Sequence, residues 1–458
     1  MADESLSEAI GRHNLALQFD HIPPEVIETA KLHILDSLGC LLAGTRLEAG
    51  MLAYESAIAT TNADSRPGST LFGMSRRVSY FEAIQAMSVA AHCGEMDDIH
   101  GGAGICIGGM IVPALLSMAE KSGGGGRNFL EAAVAGYETV IRVALSIDAP
   151  RLFARGWWPS TVCGAFGVAA AGAKFLGWPA DQTANALGIA SLHSGGMITG
   201  GSEGATARHL AFGHAAQNGA RALFATELGF TGPKRALEDP RGFCLTLCDE
   251  PRWDYLRDFE RHFLAEVAFK PYPCARQLHA GVEALLKSIQ RYALTPKTID
   301  AIELAVPTQN AAMVNRPSIT ATHAAMVGSA QYVMAVTALR GKIDLASFEA
   351  EYLNSGAARH LMAKVKVIGS TELDRDFPKY WSGRVTIKCG SEIYSEEVII
   401  PKGEPENPMR RNEVEGKFLS LAAPVIGDEK ARSVIEETEL LDARDSLEPL
   451  IAVLKTSS

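Results

Sequence analysis

Ten residues concentrate the groups that could do chemistry: Ala91-His92-Cys93-Gly94-Glu95-Met96-Asp97-Asp98-Ile99-His100. Glu95, Asp97, Asp98 and His100 put three carboxylates and an imidazole within six residues. Carboxylates crowded this closely repel one another, so at least one should hold its proton more tightly and serve as a base near neutral pH. The glycine-rich run Gly101 to Gly109 follows, and glycine at that density opposes a helix because it loses the most backbone entropy. The pattern therefore predicts helix, acidic turn, tight loop, then a new helix from about Gly109 to Lys121. The unpaired N–H groups at the start of that second helix could hold a substrate carboxylate. An acid–base site is one reading of this stretch. A solvated, acidic helix end with a flexible loop is the other.

The elements around this stretch divide the chain. At 458 residues, two domains are expected. Helices are predicted over Ser5–Phe19, Pro24–Ala43, Ser79 into the acidic stretch, Ala180–Leu192 and Ala207–Glu227. Asn128 is read as the cap of another, and Pro159 as the first turn of an Ala/Gly-rich helix ending near Phe175. Arg66-Pro67-Gly68 reads as a turn, with a short extended piece at Ser69–Gly73. After Pro271 the pattern changes to alternation at Thr298–Val306, Lys364–Ile368 and Arg384–Cys389, as half-buried strands require. Glu392–Ile400 completes a hairpin across Gly390-Ser391, and helices intervene at Leu278–Tyr292 and Ala321–Leu339. The fold class expected is mainly α with a smaller α+β domain. Residues 1–267 and 403–458 would form the helical domain, and 268–402 the inserted α+β domain.

Composition narrows the function classes. Hydrophobic content of 47% and charged content of 21% suit a soluble globular protein, and a net charge of −10 argues against nucleic acid or an acidic membrane as partner. No apolar run reaches the roughly 20 residues that span a bilayer. Met1-Ala2-Asp3-Glu4-Ser5 does not read as a leader, and the eight cysteines include no CxxC pair, so a cytoplasmic, reduced protein is expected. No second histidine stands at usable spacing from His100 for a metal, and no phosphate loop follows a strand; neither metal nor nucleotide cofactor is expected. His92, His209, His214 and His323 have no partner visible in sequence and are read as structural. His279 is read either as structural or as a site residue.

Several motifs resemble the MmgE/PrpD family, which contains 2-methylcitrate dehydratase, cis-aconitate decarboxylase and iminodisuccinate epimerase. In order, they are His92 with Glu95–His100, Val112-Pro113-Ala114-Leu115-Leu116, Gly136-Tyr137-Glu138 with Arg142, Gly156-Trp157-Trp158-Pro159-Ser160-Thr161, and Lys270-Pro271-Tyr272-Pro273-Cys274. The resemblance implies a helical domain with an inserted α+β domain, a homodimer, and removal of a proton beside a carboxylate of a small di- or tricarboxylate. A cofactor-independent lyase of the hydro-lyase type is expected. An isomerase or epimerase, or a degenerate carboxylate-binding protein, is the alternative.

The resemblance also assigns roles. Glu95, Asp97, Asp98, His100 and Tyr272 become the acid–base candidates, although Tyr272 could equally bind a carboxylate or pack against a helix. Arg208, Lys270 and Arg276 are the cations for substrate carboxylates, with Arg142 behind them, and Cys106 and Trp158 complete the binding set. This chain departs from the family pattern at four of these places. Cys106-Ile107-Gly108 replaces His-Pro-Gly, Trp158-Pro159 replaces His-Pro, Arg208 replaces Lys, and Glu95 replaces Asp. Arg208 keeps the charge but not the capacity to act as a base. The site is expected in the cleft between the domains, with the acidic turn facing Lys270.

Overall fold

Two hydrophobic cores organise the molecule. The larger runs from Leu6 to Ala268 and takes in Trp381 and the residues from Phe418 to Leu454; the smaller runs from Cys274 to Val398. The computed structural model describes residues 4–61, 68–74, 76–320 and 322–455. The Arg66-Pro67 part of the expected turn lies outside them.

Helices build the large part because their apolar faces recur at helical spacing and small residues let them approach closely. Helix Pro159–Phe175 is buried along its whole length. A side chain on its Gly167 would meet Val140 of helix Gly126–Ser146, with the nearest atom 2.9 Å from the added Cβ. The C-terminal helix Arg411–Ile426 packs on helix Pro24–Gly44, so Phe418 lies against Gly39. Among the described residues, no helix is long and apolar enough to cross a membrane.

The smaller part is a four-stranded sheet. Strand Ala301–Pro307 pairs in parallel with Val365–Ser370 and antiparallel with Gly383–Cys389, which in turn pairs antiparallel with Glu392–Val398. Cys389 stands opposite Glu392, so the hairpin turns at Gly390-Ser391 as expected. Helices His279–Tyr292 and Ala330–Arg340 accompany the sheet. The mainly helical chain with a smaller α+β part is the architecture anticipated.

Some elements differ from expectation. The helix expected over Ala321–Leu339 is broken into His323–Met326 and Ala330–Arg340, because Ser329 adopts an extended conformation and its hydroxyl caps Tyr332 N–H. Asn128 is not a cap: the helix begins at Gly126, and the Asn128 amide donates to Phe175 O. Helix Glu48–Thr60 and strand Arg76–Val78, which pairs with Ser69–Leu71, carry no clear periodic signal.

Candidate active site

Helix Tyr80–Cys93 carries His92 in its last turn and ends at Gly94. Glu95 follows in the left-handed region at φ 53°, a conformation that costs a non-glycine residue about 1–2 kcal/mol. That reversal turns the acidic segment back across the helix end. Ile99 then forms a two-bond antiparallel bridge with Ala268, at 3.0 and 2.8 Å. In antiparallel register a bridge at 99 and 268 puts 97 opposite 270. Asp97 is accordingly met by Lys270 from 173 residues away, with Nζ 3.2 Å from Oδ1.

Lys270 is 1% exposed and also stands 3.6 Å from Glu95 Oε2 and 3.4 Å from Cys106 Sγ. Burial alone would favour loss of its proton, but Asp97 and Glu95 push its pKa upward and keep it an ammonium. Burial likewise tends to raise the Glu95 pKa, yet Arg208, at 2.6 Å, and Lys270 overcome it and hold the carboxyl well below the usual range. The expectation that crowded carboxylates would yield a raised base is corrected for Glu95, since the cations beside it outweigh its neighbours. Cys106 is a buried thiol whose pKa burial drives up, so it is no thiolate.

Asp98 is the plainest correction. It is fully buried and does not line the cleft; its Oδ1 accepts from the N–H groups of Ile107 and Gly108, at 3.3 and 2.8 Å. Tyr137 donates to its Oδ2 at 2.6 Å, and His33 Nδ1 lies 3.0 Å away. The start of helix Gly108–Ser122, expected to take a substrate carboxylate, is thus taken by Asp98 itself. Gly108 is required here, because an added Cβ would lie 2.4 Å from Tyr137 Oη. Burial pushes the Asp98 pKa up, but His33, Tyr137 and the Gly108 N–H bring it below its ordinary value.

His100 also lies off the cleft: its Nδ1 accepts from Ala103 N–H at 3.0 Å, and its Nε2 is 3.7 Å from Glu266. Tyr272 is turned away from the cleft onto His279, ring to ring at 5.4 Å, and burial raises its pKa, so it has no contact there from which to act as an acid. Arg142 is structural, paired with Glu138 and donating to the carbonyls of Tyr255, Asp258 and Arg261.

The cleft encloses about 240 Å³ and is lined from both cores. From the helical side come His92, Glu95, Cys106, Trp158 and Arg208; from the other come Arg276, Gln277 and Arg316, with Lys270 on the segment between the two cores. Arg208 stands at the start of helix Ala207–Glu227, its guanidinium 5.0 Å from the Trp158 ring centre. Arg276 is 3% exposed and pairs through Nη2 with Glu404, while its Nε and Nη1 have no hydrogen-bond partner among the described residues. Burial drives its pKa down to about 10, still charged at neutral pH.

His92, read as structural in sequence, belongs to this site. Its Nδ1 is 2.8 Å from Asp97 Oδ2, and its Nε2 is 3.4 Å from Arg208 Nη2. The five-residue spacing to Asp97 was the available signal, masked because it spans a helix end. His92, Asp97 and Cys106 present atoms close enough to share a metal ion. The Lys270 ammonium touches two of the three, and its charge would repel a cation there.

The helical body and the α+β part meet at this cleft, which Arg208, Lys270, Arg276 and Arg316 line together with Glu95. Residues 8–256 match the MmgE/PrpD N-terminal domain and residues 272–443 the MmgE/PrpD C-terminal domain; the chain belongs to the MmgE/PrpD family. It is similar to cis-aconitate decarboxylase of Mus musculus, 27% identical over 99% of this chain and 94% of that protein. The Homo sapiens cis-aconitate decarboxylase is 27% identical over 99% of this chain and 95% of its own. A cis-aconitate decarboxylase-like protein of Aspergillus oryzae, oryM, is 27% identical over 94% of each chain.

Proposed function

We propose that the protein is a cofactor-independent lyase acting on a small tricarboxylate, with carbon dioxide as the leaving group in preference to water. The names of its relatives favour decarboxylation, and the cleft supports the substrate class. The observation that carries the reading is Arg276: a buried guanidinium on the cleft wall with two donor atoms lacking partners among the described residues. Leaving such donors unpaired costs about 1–3 kcal/mol or more each, a cost that a bound carboxylate removes. Arg316 adds positive charge on the same side of the cleft, and Arg208 and Lys270 add it elsewhere around the cavity. A volume of about 240 Å³ falls below the roughly 300–1,000 Å³ of drug-sized sites and suits a compact acid.

Lys270 has the central electrostatic role. Breaking a bond from carbon to carbon dioxide leaves an electron pair that conjugation spreads onto a remaining carboxylate. An ammonium held in a dry cavity stabilises that charge as it develops. Glu95 and Asp97 hold the ammonium in place, and Trp158 steadies Arg208. The helical body and the α+β insert act as separate domains, parted near residues 268 and 402, and the reaction takes place where they meet.

The test is proton NMR in D₂O with cis-aconitate and other di- and tricarboxylates. A dicarboxylate product bearing one solvent deuteron, with carbon dioxide released, is the expected result. A new alkene without loss of carbon would indicate dehydration, and deuterium exchange into intact substrate an isomerase. Either would overturn decarboxylation.

A further inference from the structure

Decarboxylation must end with a proton delivered to carbon. We propose that His92, oriented by Asp97, is the proton donor of this enzyme; the proposal rests on the lyase reading above.

The geometry has the form of an acid–base dyad. Asp97 Oδ2 lies 2.8 Å from Nδ1, which places a hydrogen on that nitrogen and leaves Nε2 for chemistry. The ring is held flat between neighbours: Phe212 stacks on it at 4.1 Å with planes 12° apart, and Trp158 and His209 lie at 5.3 and 5.5 Å. Four contacts thus fix its position, and the residue lines the cleft with Nε2 beside Arg208. The groups nearest that nitrogen are the Arg208 guanidinium at 3.4 Å and Glu95 at 3.8 Å. A histidine serving only to pack would not need its second ring nitrogen beside the cations of a charged cavity.

The other candidates fail on chemistry. Glu95 is held ionised and has no proton to give. The Lys270 ammonium is locked between two carboxylates that hold its protons. The Cys106 thiol is a weaker acid than usual. In the step itself, the bond from carbon to the departing carboxylate breaks, carbon dioxide leaves, and the electron pair stays on the conjugated carbon. His92, protonated from water when the anion binds, then transfers the Nε2 proton. The N–H bond breaks as the C–H bond forms, and the neutral imidazole regains its proton from solvent. Tricarboxylate trianion plus one proton gives dicarboxylate dianion plus carbon dioxide.

The experiment compares wild type with His92→Asn on cis-aconitate. The asparagine keeps a donor toward Asp97 but cannot exchange a proton. A kcat fall of at least about 100-fold with KM within about three-fold is expected, the range for a lost general acid. His92→Gly should regain turnover with added imidazole, which a packing role would not allow. A His92→Asn enzyme within about ten-fold of wild-type kcat, or a glycine variant that binds substrate but ignores imidazole, overturns the proposal. Should the variants not fold, diethyl pyrocarbonate treatment of wild type decides. Inactivation tracking modification of the His92 peptide, with tricarboxylate protecting, supports the role. Inactivation tracking another histidine, or full activity after treatment, overturns it. Wild type that converts no tricarboxylate would fell the lyase reading first, and His92's role with it.

Discussion

Replacing Lys270 by methionine removes one charge from a fully enclosed cluster and keeps most of the side chain's volume. Asp97 Oδ1 and Glu95 Oε2 then lose an ammonium at 3.2 and 3.6 Å. At an effective dielectric of about 20 each attraction is worth roughly 5 kcal/mol. Arg208 still compensates Glu95, so the stranded group is chiefly Asp97, and breaking a buried pair of this kind costs about 3–5 kcal/mol. Urea unfolding at neutral pH measures the loss, and turnover of cis-aconitate should fall by about 100- to 1,000-fold, as when an oxyanion donor is removed. Adding Asp97→Asn removes the stranded charge: the double variant should regain at least half the lost stability but none of the turnover. A Lys270→Met protein with an unchanged urea midpoint and kcat/KM within two-fold of wild type would refute the argument.

Arg276→Met should raise KM by about 10- to 100-fold with little change in kcat, since it removes binding common to substrate and transition state; steady-state kinetics checks this. Tyr137→Phe deletes the 2.6 Å donor to Asp98 and should cost about 1–3 kcal/mol, seen as a lower urea midpoint at unchanged slope. Glu95 and Asp98 both have folded pKa values below their ordinary 4.5 and 3.8. Their stabilisation is therefore complete above about pH 4.5 and is lost as pH falls through the depressed folded values. Melting curves of Glu95→Gln should accordingly show a shallower acid decline than wild type. Turnover should be unaffected by EDTA, because Lys270 holds the place a cation would need.

Much of the scaffold could be read directly. Helices Ala180–Leu192 and Ala207–Glu227 and the hairpin at Gly390-Ser391 follow from local periodicity and turn chemistry, and the structure has them at those bounds. Lys270 was identifiable in its motif and Arg208 and Arg276 as candidate cations, and all three line one cleft. What sequence could not settle is which neighbour each side chain meets. Asp97 and Asp98 are adjacent and chemically alike, yet one faces Lys270 from residue 270 and the other closes the start of helix Gly108–Ser122. Tyr272 and Lys270 share a motif, yet the tyrosine turns to His279. His92 looked isolated until Glu95's left-handed backbone folded Asp97 back onto it. Periodicity determines the faces of helices and strands because those depend on residues a few positions apart. Pairings at buried charges depend on which distant segment arrives opposite, and here the Ile99–Ala268 bridge made that choice.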